Sequence, residues 1–211
     1  MTRVDEIRSA FLTAAGTARE AAAFAGVTLR WQEPSALPEM TVGALVAHLA
    51  RAVTIVDRYL STAEPAGKEP ISAAAYYAPL VPDLAAVSNV RVRATAAEEA
   101  LVGHRAVLGQ MDRALDRLRE RLETEPASRL VEVRDGEVLR LDDYLRTRLI
   151  ELAVHTDDLC LSVGRETPAL PGVGVAIGAL VEVAVQRHGD LAVLRALARR
   201  DRDPDQVLRV I

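Results

Sequence analysis

Three side chains that can ligate a metal lie in unusually apolar parts of this sequence. Glu151 and His155 are four residues apart in a run whose neighbours are mainly Leu, Ile, Ala and Val. On a helix that spacing places both side chains on one face, one turn apart. A carboxylate and an imidazole in such surroundings need partners, because burying either one unpaired is costly. His48 lies in a similarly apolar segment and poses the same problem.

Two histidines and one carboxylate form a set typical of zinc sites whose fourth position stays open for water or substrate. The alternative interpretation is that Glu151 pairs with Arg148 and that His155 is a hydrogen-bonded core residue. Spacing alone leaves both interpretations open, because a carboxylate four residues before a histidine is common by chance. The paired-histidine helix motif of zinc peptidases is absent, so the sequence gives no support to peptide hydrolysis.

Apolar periodicity predicts the two helices that must position these side chains. A helix capped by Thr41 and reaching about Leu60 would carry the histidine of the first segment near its middle. A helix capped by Asp142 and reaching about Val163 would carry the other two ligands. The site is therefore expected between two helices that are far apart in the sequence.

The rest of the pattern predicts an all-α fold. Long helices are expected over residues 5–24 and 95–122, and a core rich in Ala, Val and Leu, with 3% aromatic residues, favours closely packed helices. We predict a DinB-like four-helix bundle with a long crossover, a small β-hairpin and a helical C-terminal tail. The bundle is expected over residues 1–165, and the tail, packed on it, over 166–211.

Two segments interrupt the helical pattern. Residues 64–93 contain four prolines together with Tyr76 and Tyr77, and a loop of this length is often a lid or a substrate wall. A plain surface crossover between helices is the alternative. Alternating apolar residues over 129–141, around the turn Asp135-Gly136, predict the hairpin.

The charge and the cysteine content indicate which binding partners and which cellular compartment to expect. The net charge is −4 and both signs are mixed along the chain, so we expect neither a nucleic-acid surface nor a membrane-binding face. With Cys160 as its one cysteine, the chain has no internal disulfide, which suits a reducing compartment. The first residues do not resemble a signal peptide, and the weakly charged stretch 167–181 is too short to span a bilayer. We therefore expect a cytoplasmic protein.

The two candidate ligand segments resemble a known protein family. Residues 34–49 resemble the N-terminal metal-binding domain of mycothiol-dependent maleylpyruvate isomerases, and residues 148–159 resemble that family's second metal segment. The family belongs to the broader DinB-like group of four-helix metal proteins. The resemblance runs from about residue 5 to residue 165.

The resemblance implies roles for four residues. His48, Glu151 and His155 occupy the family's three metal-ligand positions, and zinc is the expected metal, although nickel, cobalt and iron accept similar ligands. Asp158 also matches the family pattern and would accept a hydrogen bond from a ligating histidine ring. A solvated helix residue is the alternative for Asp158. Mycothiol is the thiol that the resemblance implies.

Two functions from different classes follow from these expectations. In the first, the metal activates a small thiol that attacks an electrophilic substrate, as in a thiol S-transferase or a maleylpyruvate-isomerase-like enzyme. In the second, the chain is a non-catalytic structural or sensing module that binds a metal. The second hypothesis is suggested by a C-terminal part that is shorter than in the isomerases of the family. The sequence leaves open whether the protein forms a homodimer through an apolar helix face.

Overall fold

The protein was analysed as a computed structural model that describes residues 3–80, 83–198 and 204–210. Residues 1–2, at the start of the predicted bundle, and residue 211, at the end of the predicted tail, therefore lie outside the described residues. Helices predominate, and one two-stranded sheet is present. In chain order the elements are α1 (Arg3–Ala22), α2 (Ala25–Leu29), α3 (Val42–Leu60), α4 (Ala73–Tyr77), α5 (Val87–Ala100), α6 (His104–Thr124), β1 (Leu130–Glu132), β2 (Val138–Arg140), α7 (Leu141–Ser162), α8 (Val173–His188), α9 (Asp190–Ala198) and α10 (Asp205–Leu208).

Four long helices, α1, α3, α6 and α7, pack against one another around one apolar core. Ala, Val and Leu dominate this core, and its fully buried side chains include Phe11, Leu45, Met111 and Leu145. Small side chains allow the helix axes to approach closely, so the low aromatic content is compatible with a dense interior. The predicted all-α bundle is thus confirmed, with α5 packed on α3 and α8 packed on α7.

Helix α3 begins as predicted and is fixed by close packing at its start. The Oγ1 atom of Thr41 accepts a hydrogen bond from the backbone N–H of Ala44 at 3.1 Å, which caps the helix. The ring of Trp31 lies so close to Gly43 that an added Cβ would be 2.5 Å from its Cε2 atom. Any larger residue at Gly43 would therefore displace either the ring or the helix that carries His48.

Helix α7 begins two residues earlier than the sequence suggests. Arg140 is the N-cap residue and Asp142 lies inside the first turn, so the predicted Asp142 cap is wrong. Asp142 instead accepts a hydrogen bond from Nε of Arg8 at 2.9 Å, which ties α1 to α7. Gly164, with φ of 67°, follows the end of the helix, as predicted.

The single helix predicted over 95–122 is in fact two helices, α5 and α6. The helix is interrupted at Gly103, whose φ of 85° is incompatible with a continuous right-handed helix. Leu101 at the break is 83% exposed, although its position fits the apolar stripe of the predicted helix. Both helices pack on α3, so apolar residues recur at helical spacing on both sides of the break. The periodicity alone therefore does not reveal that the helix is interrupted.

The crossover over 64–93 is more ordered than an irregular loop. Ser72 caps the short helix α4 by accepting a hydrogen bond from the N–H of Ala75 at 3.1 Å, and α5 begins within the same range. The N–H of Ile71 donates to the carbonyl of Val138 at 2.8 Å, which joins the crossover to the hairpin. Val81 and Pro82 of this segment lie outside the described residues.

The predicted hairpin is confirmed as β1 paired antiparallel with β2. Val131 faces Leu139 in the register, and both side chains are buried against the bundle. Asp135 and Gly136 have φ of 63° and 74°, the left-handed values that an Asp-Gly turn accommodates. The hairpin leads directly into α7 and therefore helps to place the helix that carries two candidate ligands.

The tail contacts the crossover as well as the bundle. Helix α8 lies against both α7 and α4, and α9 and α10 lie against α8. A second apolar cluster joins Tyr77 of α4 to Val183, Val193 and Val210 of the tail. Among the helices of the described residues, none has the length and hydrophobicity needed to cross a bilayer.

Candidate metal centre

His48, Glu151 and His155 converge between α3 and α7. Oε2 of Glu151 lies 3.3 Å from Nε2 of His48 and 3.3 Å from Nε2 of His155. The two imidazole rings meet edge to face, with their centroids 4.7 Å apart. One candidate ligand atom from each residue lies within 4.8 Å of the other two. The structure thus brings together the three side chains that the sequence singled out.

The two N···O separations at Glu151 have the length expected between neighbouring ligands of a tetrahedral metal. Metal–ligand bonds of about 2.0–2.1 Å would place neighbouring ligand atoms of a tetrahedral zinc about 3.3 Å apart. Charge-assisted N–H···O hydrogen bonds are shorter, at about 2.7–2.9 Å. Both N···O distances at Oε2 of Glu151 match the tetrahedral value. The donor set therefore fits a divalent metal ion.

The cluster is partly exposed and leaves one ring nitrogen unsatisfied. The side chains of His48, Glu151 and His155 keep between 16% and 19% of their surface accessible. Nδ1 of His48 is buried and has no hydrogen-bond partner among the described residues. His48 is therefore not a core histidine with both ring nitrogens satisfied by hydrogen bonds, and the cluster is not fully enclosed.

Asp158 holds the ring of His155 from the side opposite Glu151. Its Oδ2 atom lies 3.0 Å from Nδ1 of His155, a distance at which the ring N–H donates to the carboxylate. Because the proton of Nδ1 is held by Asp158, Nε2 is the nitrogen that faces Glu151 and His48 and that a metal would bind. The structure places Asp158 in this contact rather than in solvent.

Two carboxylates decide the charge of His155 in the metal-free protein. Burial disfavours the charged ring, but the contacts with Asp158 and Glu151 prevail and raise the pKa of His155 to about 9. The imidazole is therefore protonated at neutral pH when no metal is bound. A metal ion must displace that proton to reach Nε2.

Glu151 is the residue around which the centre is organised. Burial alone would raise the pKa of its carboxyl, but the contacts with His155 and His48 and the charge of Arg148 hold that pKa well below its usual range. The hydroxyl of Tyr77 donates to Oε1 at 2.5 Å, while Oε2 faces the two histidines. Oε1 thus contacts the tyrosine, and Oε2 contacts the two histidines. Arg148, the alternative partner, approaches Oε1 only to 3.9 Å.

Sequence reasoning missed the role of Tyr77. The residue is buried, and burial together with the charge of Glu151 raises the pKa of its phenol well above the ordinary value. The hydroxyl therefore stays protonated and serves as a donor. The signal available in the sequence was Ser72, a good helix cap in a proline-rich segment, which predicts a short helix ending in the tyrosine pair.

Three of the four tyrosines of the chain, Tyr76, Tyr77 and Tyr144, interact with Arg148, which lies next to Glu151. The guanidinium carbon of Arg148 lies 4.9 Å from the ring centroid of Tyr144, and its Nη2 donates to the hydroxyl of Tyr77 at 3.3 Å. Tyr59 contacts Tyr144 with ring centroids 5.5 Å apart, and Tyr76 contacts Tyr77 at 5.8 Å. Three phenols and one cation thus lie near the carboxylate of Glu151.

Two other potential ligands do not join the centre. Both ring nitrogens of His104 are hydrogen-bonded to their surroundings, one of them to Thr28 Oγ1 at 2.9 Å. Cys160 is buried, and burial raises the pKa of its thiol, so the thiolate is disfavoured. Within the described part of the chain, the three-residue cluster is the group whose geometry suits a metal.

Comparison with known proteins identifies the family and the fold of the chain. A family model described as the mycothiol maleylpyruvate isomerase N-terminal domain matches residues 13–160, which contain the whole cluster. A solved crystal structure, that of a histidine-to-alanine mutant of the mycothiol-dependent maleylpyruvate isomerase, is similar with a TM-score of 0.57 and 14% identity. The similarity covers 85% of this chain and 68% of that chain, and it confirms the predicted fold. The search of curated proteins gave no match.

Proposed function

Because this chain belongs to the mycothiol maleylpyruvate isomerase N-terminal domain family, we propose that it binds one divalent metal ion and activates a small thiol there. The ligands would be His48, Glu151 and His155. The observation that carries the proposal is the pair of 3.3 Å contacts from one Glu151 oxygen to two imidazole nitrogens. The donor set favours zinc, and the family name favours mycothiol as the thiol.

Three protein ligands leave one position of a tetrahedral site open. A metal ion bound there would lower the pKa of a thiol that reaches the open position, so that the thiolate forms near neutral pH. His48 and His155 would supply neutral nitrogens, and Glu151 would supply the negative charge. The partial exposure of these side chains supports access by a small thiol.

Surrounding polar residues orient two of the three proposed ligands, His155 and Glu151. Asp158 keeps the proton of His155 on Nδ1, so that Nε2 is directed into the cluster. Tyr77 donates to Oε1 of Glu151 and leaves Oε2 for the metal. Contacts of this kind are the usual outer support of a metal site, because they fix ring and carboxylate orientation.

The proposed chemistry is thiol transfer to, or cis–trans isomerisation of, an electrophilic small molecule. A thiolate that adds to an activated double bond turns it into a single bond, about which the adduct rotates. Elimination of the thiolate then restores the double bond in the other geometry, which gives an isomerase. If the thiol stays attached and the adduct is protonated, the product is a thioether and the protein is an S-transferase.

Cobalt substitution tests the proposal with a direct optical signal. We expect titration of the cobalt-loaded protein with mycothiol to produce a sulfur-to-cobalt charge-transfer band that saturates, and thiol to be consumed with an electrophile from a suitable panel. The variant His155→Ala should show no such band, whereas His188→Ala, which removes an exposed histidine, should behave as wild type. Stable metal binding without either signal would instead favour the non-catalytic metal-binding module.

A further inference from the structure

Arg187, in the last turn of α8, binds the backbone of the crossover. Its Nε donates to the carbonyl of Ala78 at 2.9 Å, and its Nη2 donates to the carbonyls of Tyr77, at 3.1 Å, and of Leu80. Its Nη1 donates to the carbonyl of Val210 at 2.7 Å. One side chain of the tail therefore joins the end of α4 to the end of the described chain.

Three of these acceptors lie at or just beyond the C-terminal end of α4, where the carbonyl of Tyr77 also accepts from the N–H of Leu80 at 2.9 Å. The last carbonyls of a helix have no partner within it and need donors from elsewhere. The planar guanidinium presents several N–H donors in a fixed arrangement, so it can bind several such carbonyls at once. Arg187 thereby fixes both the position and the direction of the C-terminal end of α4.

Tyr77 connects this clamp to the candidate metal centre. Its backbone carbonyl is held by Arg187, and its hydroxyl donates to Oε1 of Glu151 at 2.5 Å. The same hydroxyl lies 3.4 Å from the carbonyl of Thr147 on α7. The ring between these two ends is buried against Val183 and other apolar residues of the tail. A buried tyrosine has few rotamers, so fixing its backbone also fixes its hydroxyl.

We propose that Arg187 is a positioning residue for the metal ligand Glu151, acting through the backbone and the hydroxyl of Tyr77. This inference rests on the proposed metal site. It assigns the C-terminal tail a part in that site, since α8 supplies both the clamp and the apolar contacts that hold the tyrosine. Movement of α4 would withdraw the donor from Oε1 and free the carboxylate to rotate away from the two histidines.

The test compares zinc dissociation constants of the full chain, measured by competition with a chromogenic chelator. Removal of an outer hydrogen bond from a metal ligand typically weakens binding about 10- to 100-fold, and we expect Tyr77→Phe to fall in that range. Arg187→Gln should weaken binding by a smaller factor, and Arg187→Lys should recover part of the loss. In the Tyr77→Phe background, Arg187→Gln should have no further effect.

Glu182→Gln is the matched control on the same helix. It removes the negative charge of the carboxylate that accepts a hydrogen bond from Nη2 of Arg146 at 2.6 Å, a contact between α8 and α7 that does not involve α4. We expect its zinc affinity to equal that of wild type. The visible spectrum of the cobalt-loaded Arg187→Gln protein should resemble that of Tyr77→Phe, a change that mere loss of stability would not produce.

Hydrogen exchange gives a readout that needs no metal. Amides of residues 73–80 should exchange faster in Arg187→Gln than in wild type or in Glu182→Gln. The inference would be overturned if Arg187→Gln changed neither the zinc affinity nor the amide exchange. It would also be overturned if Arg187→Gln lowered the zinc affinity by the same factor in the Tyr77→Phe background as in the wild-type background. If the wild-type protein bound no zinc, the proposed function would fail, while exchange would still show whether Arg187 holds α4.

Discussion

The two histidines of the candidate centre are held in different ways. His155 on α7 has Asp158 at Nδ1 and Glu151 at Nε2. His48 on α3 has Glu151 at Nε2, but its buried Nδ1 has no partner among the described residues. The α7 half of the centre is thus oriented by polar contacts, whereas the α3 half depends on the packing of its helix. Each half should therefore respond to a different kind of substitution.

The largest effect is expected where the two halves meet. Glu151→Ala removes the one carboxylate that contacts both histidines, so the zinc affinity should fall by more than the roughly 100-fold that outer contacts can cost. Chelator competition measures the change. His188→Ala, at an exposed histidine of α8, should retain wild-type affinity. An unchanged affinity for Glu151→Ala would mean that the metal binds elsewhere.

The polar support of the α7 half is tested at Asp158. Asp158→Asn keeps the size of the side chain but removes the charge that holds Nδ1 of His155, so zinc affinity should fall about 10- to 100-fold. Asp157→Asn is the matched control, because Asp157 accepts a hydrogen bond from Thr167 at 2.5 Å and does not contact the ring. Equal losses in the two variants would indicate a general effect of charge on α7.

The pH dependence of binding tests the same half in another way. Because Asp158 and Glu151 raise the pKa of His155 to about 9, protons compete with the metal for Nε2 below that pH. The zinc affinity should therefore rise by about tenfold per pH unit from this one group as the pH approaches 9, and then level off. In Asp158→Asn the plateau should begin at a lower pH. Affinity that stays constant between pH 7 and 9 would contradict this account.

The packing of the α3 half is tested at Gly43. In Gly43→Ala the new Cβ would lie 2.5 Å from Trp31, so the free energy of unfolding should fall by about 1–3 kcal/mol. Gly178→Ala in α8 is the matched control, because its added Cβ would meet no atom within 4 Å. That substitution should stabilise the protein by up to about 1 kcal/mol, since alanine favours helix more than glycine does.

Urea unfolding of the metal-free proteins compares the two glycine variants. Opposite signs for Gly43→Ala and Gly178→Ala are the expected result, and stabilisation by both would show that Trp31 can move aside. We also expect Gly43→Ala to lower zinc affinity less than Asp158→Asn does. The reverse order would mean that packing on α3, rather than polar contact on α7, sets the strength of the site.

Local sequence signals sufficed for the elements that carry the ligands. Thr41 predicted the start of α3 because a threonine cap acts within its own turn. Glu151 and His155 stood out because their neighbours over residues 149–154 are apolar, and polar groups in such a run need partners. The turn at Asp135-Gly136 was predictable because few residues accept its backbone angles.

The features that sequence reasoning missed depend on distant partners. Asp142 was predicted to cap α7. In the structure α7 begins earlier, and Asp142 instead contacts Arg8, which is 134 residues away in the sequence. The position of Tyr77 beside Glu151 depends on the fold of the crossover and on Arg187, which is 110 residues away. No local pattern encodes contacts of this kind.

The metal content of the purified, untagged protein tests the central claim most directly. Elemental analysis should find about one equivalent of a divalent metal per chain, as expected for a three-ligand site, and His155→Ala should lose it. The folded state of both proteins is checked by circular dichroism. If wild-type protein contained no metal and could not be reconstituted with zinc, nickel or cobalt, His48, Glu151 and His155 would not form a metal site. Family membership would then account for the fold alone.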